Sequence, residues 1–243
     1  KKAKSKDNNM KLLISIANVS EAPAALQGGA DIIDVKDPAA GALGAPAADT
    51  LGAVCHKLSP DHDISAALGD TATAGGTLSL AAVGAAALGV RFVKLGLTTD
   101  QVDQAIALLR RLQQSVRLVN PACGVIAVGY ADAAQIGALP WPALPEIAQA
   151  AGIEGCMIDT ALKNGQTLFD HCAEAGLAPW LAECRQAGLH CALAGSLRLV
   201  DLPAIRRLAP DIAGFRGAAC TGDRVNGRVS AERVAALRSA LEA

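Results

Sequence analysis

The chain alternates short, almost wholly apolar runs with longer stretches in which apolar residues recur every three or four positions. Near-continuous apolarity is typical of strands that are covered on both faces, as in parallel sheets. The pattern therefore predicts eight β-strands in one parallel sheet. The runs are 11–18, 31–36, 63–68, 92–96, 124–130, 156–160, 190–195 and 211–217.

The segments between the runs have helical spacing. Val102, Ile106, Leu109 and Leu112 fall three or four positions apart, which predicts an amphipathic helix. The last stretch opens with a serine three residues before an arginine, a partial capping box. Helices are predicted in the segments 21–29, 77–89, 99–116, 144–152, 181–188, 197–210 and 230–243.

Eight strand–helix units in about 230 residues match the (β/α)8 barrel, which typically has about 250 residues. We therefore predict an α/β chain with a single TIM-barrel catalytic domain over residues 10–243. A doubly wound open sheet is the competing fold. Its usual glycine-rich dinucleotide fingerprint is missing after the first run, where the sequence reads IANVSEAP.

Composition limits the partners. The chain has 243 residues, 51% of them hydrophobic, which is enough for a sizeable core. Its 22 basic and 23 acidic residues leave no broad electrostatic footprint for nucleic acid or an anionic membrane. Aromatic residues are scarce, and no stretch of about 20 uninterrupted apolar residues could span a bilayer. We expect a small-molecule substrate, no nucleic acid and no membrane.

The seven cysteines form an odd set without a CxxC pair, as expected for reduced thiols in the cytoplasm. The four histidines lack metal-ligand spacing, so we expect neither metal nor cofactor. Residues 1–9 are polar and basic without a signal-peptide core, and we expect them to be disordered or additional to the natural chain, with Met10 as initiator. Barrels of this size often pair, so we expect a homo-oligomer, with contacts near Trp141, Pro142 or Trp180.

Three lysines lie at or just after the ends of apolar runs: Lys36, Lys94 and Lys163. A lysine that closes a buried strand loses hydration, so it needs a partner or a lowered pKa. A lysine with a lowered pKa is the nucleophile that forms Schiff bases with carbonyl substrates. The alternative is that each side chain simply extends along apolar surface to reach water.

Two aspartates accompany these lysines. Asp34 is two residues from Lys36 and so faces the same side of a strand; it could move a proton or form a structural ion pair. Asp159 is four residues from Lys163, and both face one cavity if the chain turns helical there. We expect burial to raise the pKa of Asp159 towards the acid–base range, and Lys94 to lower the pKa of Lys36 or to bind phosphate.

Two motifs predict an anion site in the loops after the seventh and eighth strands, the usual phosphate seat of this barrel. Gly195 and Ser196 open a predicted helix, where backbone N–H groups and the helix dipole attract phosphate. Arg216 and Gly217 follow the eighth run, and the guanidinium suits bidentate phosphate contacts.

A second, weaker anion site is predicted at Gly76 and Thr77, where the third helix begins. Tyr130 lies at the same end of the barrel as the lysines and either acts there or merely packs, and Cys220 is expected to pack. Ser196 has no plausible histidine partner, which disfavours a serine hydrolase. Together these features predict a lysine-dependent enzyme that acts on phosphorylated carbonyl compounds.

The same residues carry a resemblance to the (5-formylfuran-3-yl)methyl phosphate synthase family, and it spans the chain from about residue 10 to the end. The resemblance implies a (β/α)8 Schiff-base lyase of methanofuran and methylofuran biosynthesis. Such a carbon–oxygen lyase joins two molecules of glyceraldehyde 3-phosphate, losing water and one phosphate. It also implies that Lys36 forms the Schiff base and that Lys94, Asp159 and Lys163 are catalytic. The motifs are ADIIDVKDPAAGALGA, SAALGD, FVKLGL, VGYADA, MIDTALKNGQTLFDH, ALAGSL and GFRGAACTGDRVNGR.

Two other functions fit the same residues. Another class I aldolase or sugar-phosphate lyase on this barrel would share the lysine and the phosphate seats and differ in its product. A non-catalytic regulator that binds a phosphorylated metabolite would need no acid–base pair beside the lysine. In an enzyme that takes two triose phosphates, we expect Lys94, Lys163 and Arg216 to offset the phosphate charge.

Overall fold

The computed structural model describes residues 10–58, 60–73 and 75–243. The expectation for residues 1–9 lies outside this part of the chain. Within it, parallel strands β1 to β8 form a closed barrel in sequence order. β1 pairs with β8 as well as with β2, which closes the sheet. The (β/α)8 prediction is confirmed, and the open doubly wound sheet is excluded. The strands are β1 Lys11–Ile16, β2 Ile32–Val35, β3 Asp63–Thr71, β4 Phe92–Leu97, β5 Gly124–Tyr130, β6 Gly155–Asp159, β7 His190–Leu193 and β8 Ile212–Phe215.

Helices follow the strands and cover the outside of the barrel. All seven segments with predicted helical spacing contain a helix. The spacing did not predict α2, nor the single-turn helices α5 and α7. The helices are α1 Ala22–Gln27, α2 Ala48–Leu58, α3 Gly76–Ala87, α4 Val102–Arg117, α5 Ala133–Ile136, α6 Leu144–Ala151, α7 Leu168–His171, α8 Glu174–Gln186, α9 Leu202–Leu208 and α10 Ala231–Glu242.

Local patterns explain the helices that were predicted. In α4 the buried stripe is Ala105, Leu108, Leu109 and Leu112, so the helical period is right. Val102 at its first turn is 43% exposed, because the stripe meets the barrel only from the second turn onward. At the start of α10 the Ser230 side chain accepts the Arg233 N–H, as the capping pattern indicates.

The strands sort their side chains with a period of two. In β1, Leu12, Ile14 and Ile16 pack outward under the helices. Leu13 belongs to a separate apolar cluster inside the barrel, and Ser15, two residues further on, lines the cavity above it. The inside of the barrel therefore changes from apolar to polar towards the carboxyl ends of the strands.

A small hairpin follows β8 and was not predicted. Its strands, β9 Cys220–Thr221 and β10 Arg228–Val229, pair antiparallel. Asp223 begins the turn, since its Oδ1 accepts the N–H groups of Val225 and Asn226, each at 2.8 Å. Gly227 is obligatory, because a Cβ there would collide with the backbone carbonyls of residues 221 and 223. This turn holds residue 224 over the mouth of the barrel.

The predicted contact near Trp180 needs correction. Trp180 is 3% exposed and packs edge-on against Trp141, with ring centroids 6.3 Å apart. Trp180 therefore belongs to the interior, since α8 turns this face towards its neighbours.

All seven cysteines are buried and free. A homo-oligomer, a cytoplasmic location and the absence of a nucleic-acid partner stay predictions. None of the described helices has the length and apolar character needed to cross a membrane.

Candidate active site

The carboxyl ends of the strands surround a cavity of about 300 Å³. This is the end of the barrel at which TIM-barrel enzymes carry their active sites. The structure brings most of the predicted residues together in its wall. They are Lys36, Lys94, Asp159, Lys163, Gly195, Ser196, Arg216 and Gly217.

Lys94 is held by a buried ion pair. Its Nζ lies 2.8 Å from Oδ2 of Asp34, which is fully buried below the cavity. Ser15 and Ser65 donate hydrogen bonds of 2.8 and 2.7 Å to the same carboxylate. Burial would raise the pKa of Asp34, but the charges of Lys94 and Lys36 and the hydrogen bonds from Lys94 and Ser65 hold it below its usual value. Of the two predicted roles for Asp34, the ion pair matches this geometry, with Lys94 as the partner.

Lys163 forms the second ion pair. Its Nζ lies 2.8 Å from Oδ1 of Asp159 and donates to Thr160 Oγ1 at 3.1 Å. The two side chains meet across a non-helical loop, although the sequence argument assumed a helical turn. The Thr160 N–H also donates to Asp159 Oδ1, at 2.7 Å. The bonds from Lys163 and from the Thr160 N–H reach the same oxygen, Oδ1, and Asp159 lines the cavity.

The predicted direction of the Asp159 pKa is wrong. Burial does act to raise it, but Lys163, Lys36 and the two hydrogen bonds outweigh burial and lower the pKa to about 2. Burial alone would raise this pKa, and the two cations that reverse the shift come from elements distant in sequence or from the following loop. Asp159 is therefore a carboxylate at neutral pH.

Lys36 differs from the other two lysines. It is 6% exposed, and its Nζ donates one hydrogen bond of 3.2 Å to the Ala42 carbonyl. Among the described residues it has no carboxylate within ion-pair distance, unlike Lys94 and Lys163. Burial lowers its pKa to about 8, and the neighbouring ammonium groups assist while the two aspartates oppose the shift. About a tenth of Lys36 is thus an uncharged amine at pH 7, far more than for a lysine with its usual pKa.

The loop that carries Ala42 is pinned from the side of β3 and β5. Asp70 accepts the Leu43 N–H at 3.3 Å, and the hydroxyl of buried Tyr130 donates to the other oxygen of Asp70. Burial and this carboxylate raise the pKa of Tyr130 well above its usual value. Tyr130 does not line the cavity, so its place is in the support of the Lys36 loop.

Arg216 does not have the geometry predicted for it. Its Nη1 lies 2.6 Å from Glu21 Oε2 and 3.2 Å from the Ser15 carbonyl. Its Nε and Nη2 donate to the carbonyls of Arg224 and Gly227. Four of the five guanidinium N–H groups are thereby engaged with the protein, and Glu21 balances the charge. Sequence position could not reveal this, because Glu21 lies 195 residues away.

The loop after β7 keeps its predicted place. Gly195 and Ser196 have φ values of 107° and 51°, and a positive φ is uncommon for serine. A Cβ on residue 195 would lie only 3.2 Å from atoms of Thr160. The loop leads into the short 3-10 turn Leu199–Asp201 and then α9. A phosphate contact here, and at Gly217, stays a prediction.

Gly76 and Thr77 are not part of this site. They lie exposed at the start of α3 and are absent from the cavity wall. An anion site at the start of α3, apart from this cavity, stays a prediction.

Arg224 was not among the residues predicted from the sequence. This side chain lines the cavity, and its Nη1 and Nη2 donate to the carbonyls of Pro38 and Gly41 at 2.7 and 3.0 Å. The motif GFRGAACTGDRVNGR includes it, but the pattern alone gave it no role. Among the described residues, no group of three or more His, Cys, Asp or Glu side chains is placed to hold a metal ion.

Comparison with known proteins gives consistent matches over nearly the whole chain. A family model described as 4-HFC-P synthase matches residues 12–238. The (5-formylfuran-3-yl)methyl phosphate synthase of Methanocaldococcus jannaschii is 43% identical over 231 residues, which cover 94% of this chain and 98% of that protein. The protein of the same name from Methanopyrus kandleri is 40% identical over 233 residues, covering 95% and 98%.

Solved structures share the fold at low sequence identity. Phosphoribosyl anthranilate isomerase from Thermus thermophilus superposes with a TM-score of 0.61 at 17% identity, covering 96% of this chain and 98% of that one. The 3-hexulose-6-phosphate synthase from Salmonella typhimurium gives 0.60 at 15% identity, covering 96% and 99%. At such identities the likeness extends to the barrel alone.

Proposed function

Since the chain belongs to the (5-formylfuran-3-yl)methyl phosphate synthase family, we propose that it condenses two molecules of glyceraldehyde 3-phosphate through an iminium on Lys36. The product is (5-formylfuran-3-yl)methyl phosphate, and the balance is one phosphate and two waters released. The sum is redox-neutral, so no oxidant or reductant is required. The enzyme is then a carbon–oxygen lyase of methanofuran and methylofuran biosynthesis.

One observation supports Lys36 as the nucleophile. Among the described residues it is the cavity lysine without a carboxylate partner, and burial lowers its pKa to about 8. A neutral amine attacks a carbonyl, whereas an ammonium in a tight ion pair does not. The ion-paired Lys94 and Lys163 are therefore poorer candidates.

The iminium supplies the electron sink for carbon–carbon bond formation. The amine adds to the aldehyde and water leaves, which makes the neighbouring C–H acidic. Loss of that proton gives an enamine carbon that can attack the carbonyl of the second triose phosphate. Hydrolysis of the iminium later returns Lys36, and aromatisation of the furan favours the final eliminations.

Asp159 and Lys163 provide complementary proton transfers. Asp159, with its pKa of about 2, is ionised and can take the C–H proton on Oδ2, the oxygen that the hydrogen bonds from Lys163 and the Thr160 N–H do not reach. Lys163, bonded to the other oxygen, is placed to give a proton to a departing hydroxyl. A positioned acid–base pair of this kind contributes about 10²- to 10⁴-fold to rate.

The test is reductive trapping. Borohydride added with glyceraldehyde 3-phosphate should fix a substrate adduct on the peptide that contains Lys36. The matched control is Lys57→Arg, which changes an exposed lysine on α2 and should leave the adduct intact. An unmodified Lys36 in a protein that still makes product would exclude the proposed nucleophile.

Product analysis separates this proposal from the other functions that the sequence allows. Mass spectrometry and ultraviolet absorption should reveal a furan aldehyde phosphate. A simple aldol product would indicate another class I aldolase on the same barrel. Tight binding of triose phosphate without consumption would indicate a regulator.

A further inference from the structure

We infer that Arg224, on the hairpin after β8, binds the phosphate group of one of the triose phosphates. This inference rests on the proposed function for the identity of the substrate, a phosphate monoester. It assigns to Arg224 the role that sequence position suggested for Arg216. Four observations carry it: position, free donors, charge and the neighbouring loop.

Arg224 lies at the mouth of the cavity. It is half-buried and belongs to the same cavity wall as the three lysines. Its backbone carbonyl accepts a hydrogen bond of 3.0 Å from the Nε–H group of Arg216. The buried Arg216 therefore anchors the hairpin, and the hairpin presents the Arg224 side chain to the cavity.

Arg224 keeps most of its donors. A guanidinium has five N–H groups, and two of these reach the carbonyls of Pro38 and Gly41. Three remain for a ligand, which is enough for the two parallel bonds of a bidentate phosphate contact. Arg216 has one N–H left after its four bonds, so it cannot make that contact without giving up a protein partner.

The charge of Arg224 is also uncompensated by direct contact. Its two partners are neutral carbonyls, and within the described residues it forms no ion pair. Arg216, by contrast, is neutralised by Glu21 at 2.6 Å. A half-buried cation that faces a cavity without a carboxylate partner favours an anionic ligand.

The carbonyls that hold Arg224 belong to the loop of the proposed nucleophile. Pro38 and Gly41 lie in the same loop as Ala42. The Ala42 carbonyl accepts a hydrogen bond from the Lys36 amine. A phosphate bound by Arg224 would therefore sit beside the loop that orients Lys36. Such binding would place the aldehyde end of the same molecule inside the cavity.

Binding of glycerol 3-phosphate tests the inference, because this probe has the phosphate but no carbonyl and cannot form an iminium. Arg224→Gln should weaken its binding, measured by calorimetry, by about 10- to 100-fold, the size of a charge-assisted hydrogen bond. Arg224→Lys keeps the charge without the fork and should fall in between. The matched control is Arg207→Gln, which removes an exposed arginine paired with Glu174 on the outside of the barrel and should bind as the parent does. Equal binding by Arg224→Gln and the parent would overturn the inference.

A second measurement distinguishes phosphate binding from a purely structural strap. Borohydride trapping rates with glyceraldehyde 3-phosphate and with glyceraldehyde give a ratio that reports preference for the phosphate. Arg224→Gln should lower this ratio about tenfold or more. If both rates fall in the same proportion, Arg224 only supports the loop and the inference is wrong.

The unaltered protein gives an answer even if the variants fail to fold. Glycerol 3-phosphate should protect Arg224 from phenylglyoxal, as judged by peptide mass spectrometry, while Arg207 remains reactive. Equal modification of Arg224 with and without the probe would contradict the inference. These readouts do not require furan formation, so a protein that bound the probe through Arg224 but made no furan would refute only the proposed reaction.

Discussion

Two layers inside the barrel differ sharply although the same strands build both. The layer towards the amino ends of the strands is apolar and leaves only a void of about 20 Å³. The layer above it carries polar side chains on β1, β2, β4 and β6, two residues further along each of these strands, and three of the four are charged. The step from one layer to the next is Leu13 to Ser15, Ile32 to Asp34, Phe92 to Lys94 and Met157 to Asp159.

The difference shows how the barrel buries charged side chains that can still take part in chemistry. The apolar layer and the covering loops exclude water, which raises the cost of every charge above them. Two lysines meet that cost by pairing with Asp34 and Asp159. Lys36 meets it by a lowered pKa. Changes in the charged layer should therefore affect chemistry, and also stability where they leave a buried charge unpaired, whereas changes in the apolar layer should affect stability alone.

Lys36→Arg should have the largest effect. The variant keeps the charge but lacks a usable amine, so furan formation should fall by several orders of magnitude while the protein still folds. Product formation is measured by ultraviolet absorption and folding by circular dichroism. Near-normal turnover would show that the charged layer acts without a covalent intermediate.

Asp159→Asn should come next, with a loss in kcat of about 10²- to 10⁴-fold. The amide cannot accept the proton. The Lys36 amine that forms the iminium remains, so the borohydride adduct on Lys36 should persist. Steady-state kinetics and peptide mass spectrometry measure the two effects. A loss below about tenfold would assign the proton transfer to another group.

Lys94→Met should destabilise the barrel by about 3–5 kcal/mol, because it leaves the fully buried Asp34 carboxylate uncompensated. The double variant Asp34→Asn with Lys94→Met removes the stranded charge and should recover much of that loss. Denaturant unfolding gives both values. If the single variant is as stable as the parent, the ion pair is not what holds Asp34 in place.

The pH dependence follows from Lys36. Its pKa of about 8 predicts that kcat/KM rises about tenfold per unit below pH 8 and levels off above it, since only the neutral amine attacks. The unfolded chain keeps this proton until about pH 10.5, the usual value. Between pH 8 and 10.5 the unfolded state thus binds more protons, and stability should rise with pH across this window. Lys36→Met should abolish that part of the rise, whereas Lys57→Met should keep it; a rise that persists in Lys36→Met would point to another group.

Ile126→Val, in the apolar layer, should have the smallest effect. Loss of one buried methylene should cost about 0.5–1.5 kcal/mol of unfolding free energy. Turnover should match the parent, because the change removes no charged or hydrogen-bonding group. A fall in kcat beyond threefold would show that the two layers are coupled.

Short-range patterns in the chain were enough to predict the barrel and the three lysines at its mouth. The period-two alternation of a strand is a property of the local backbone, so it places Asp34 and Lys36 on one face before any partner is known. The same holds for α4, whose apolar stripe follows from helix geometry. The two-residue strands β9 and β10 are too short to show any period, and the hairpin that carries Arg224 was missed for that reason.

Tertiary structure alone selected the partners. Asp34 pairs with Lys94, and Arg216 pairs with the distant Glu21. Within the described residues, Lys36 and Arg224 form no ion pair with a carboxylate. Charge interactions depend on distances between elements far apart in sequence and on the burial around them. This is why the position of Asp159 was predictable from its strand, while the direction of its pKa shift required the surrounding cations to be in place.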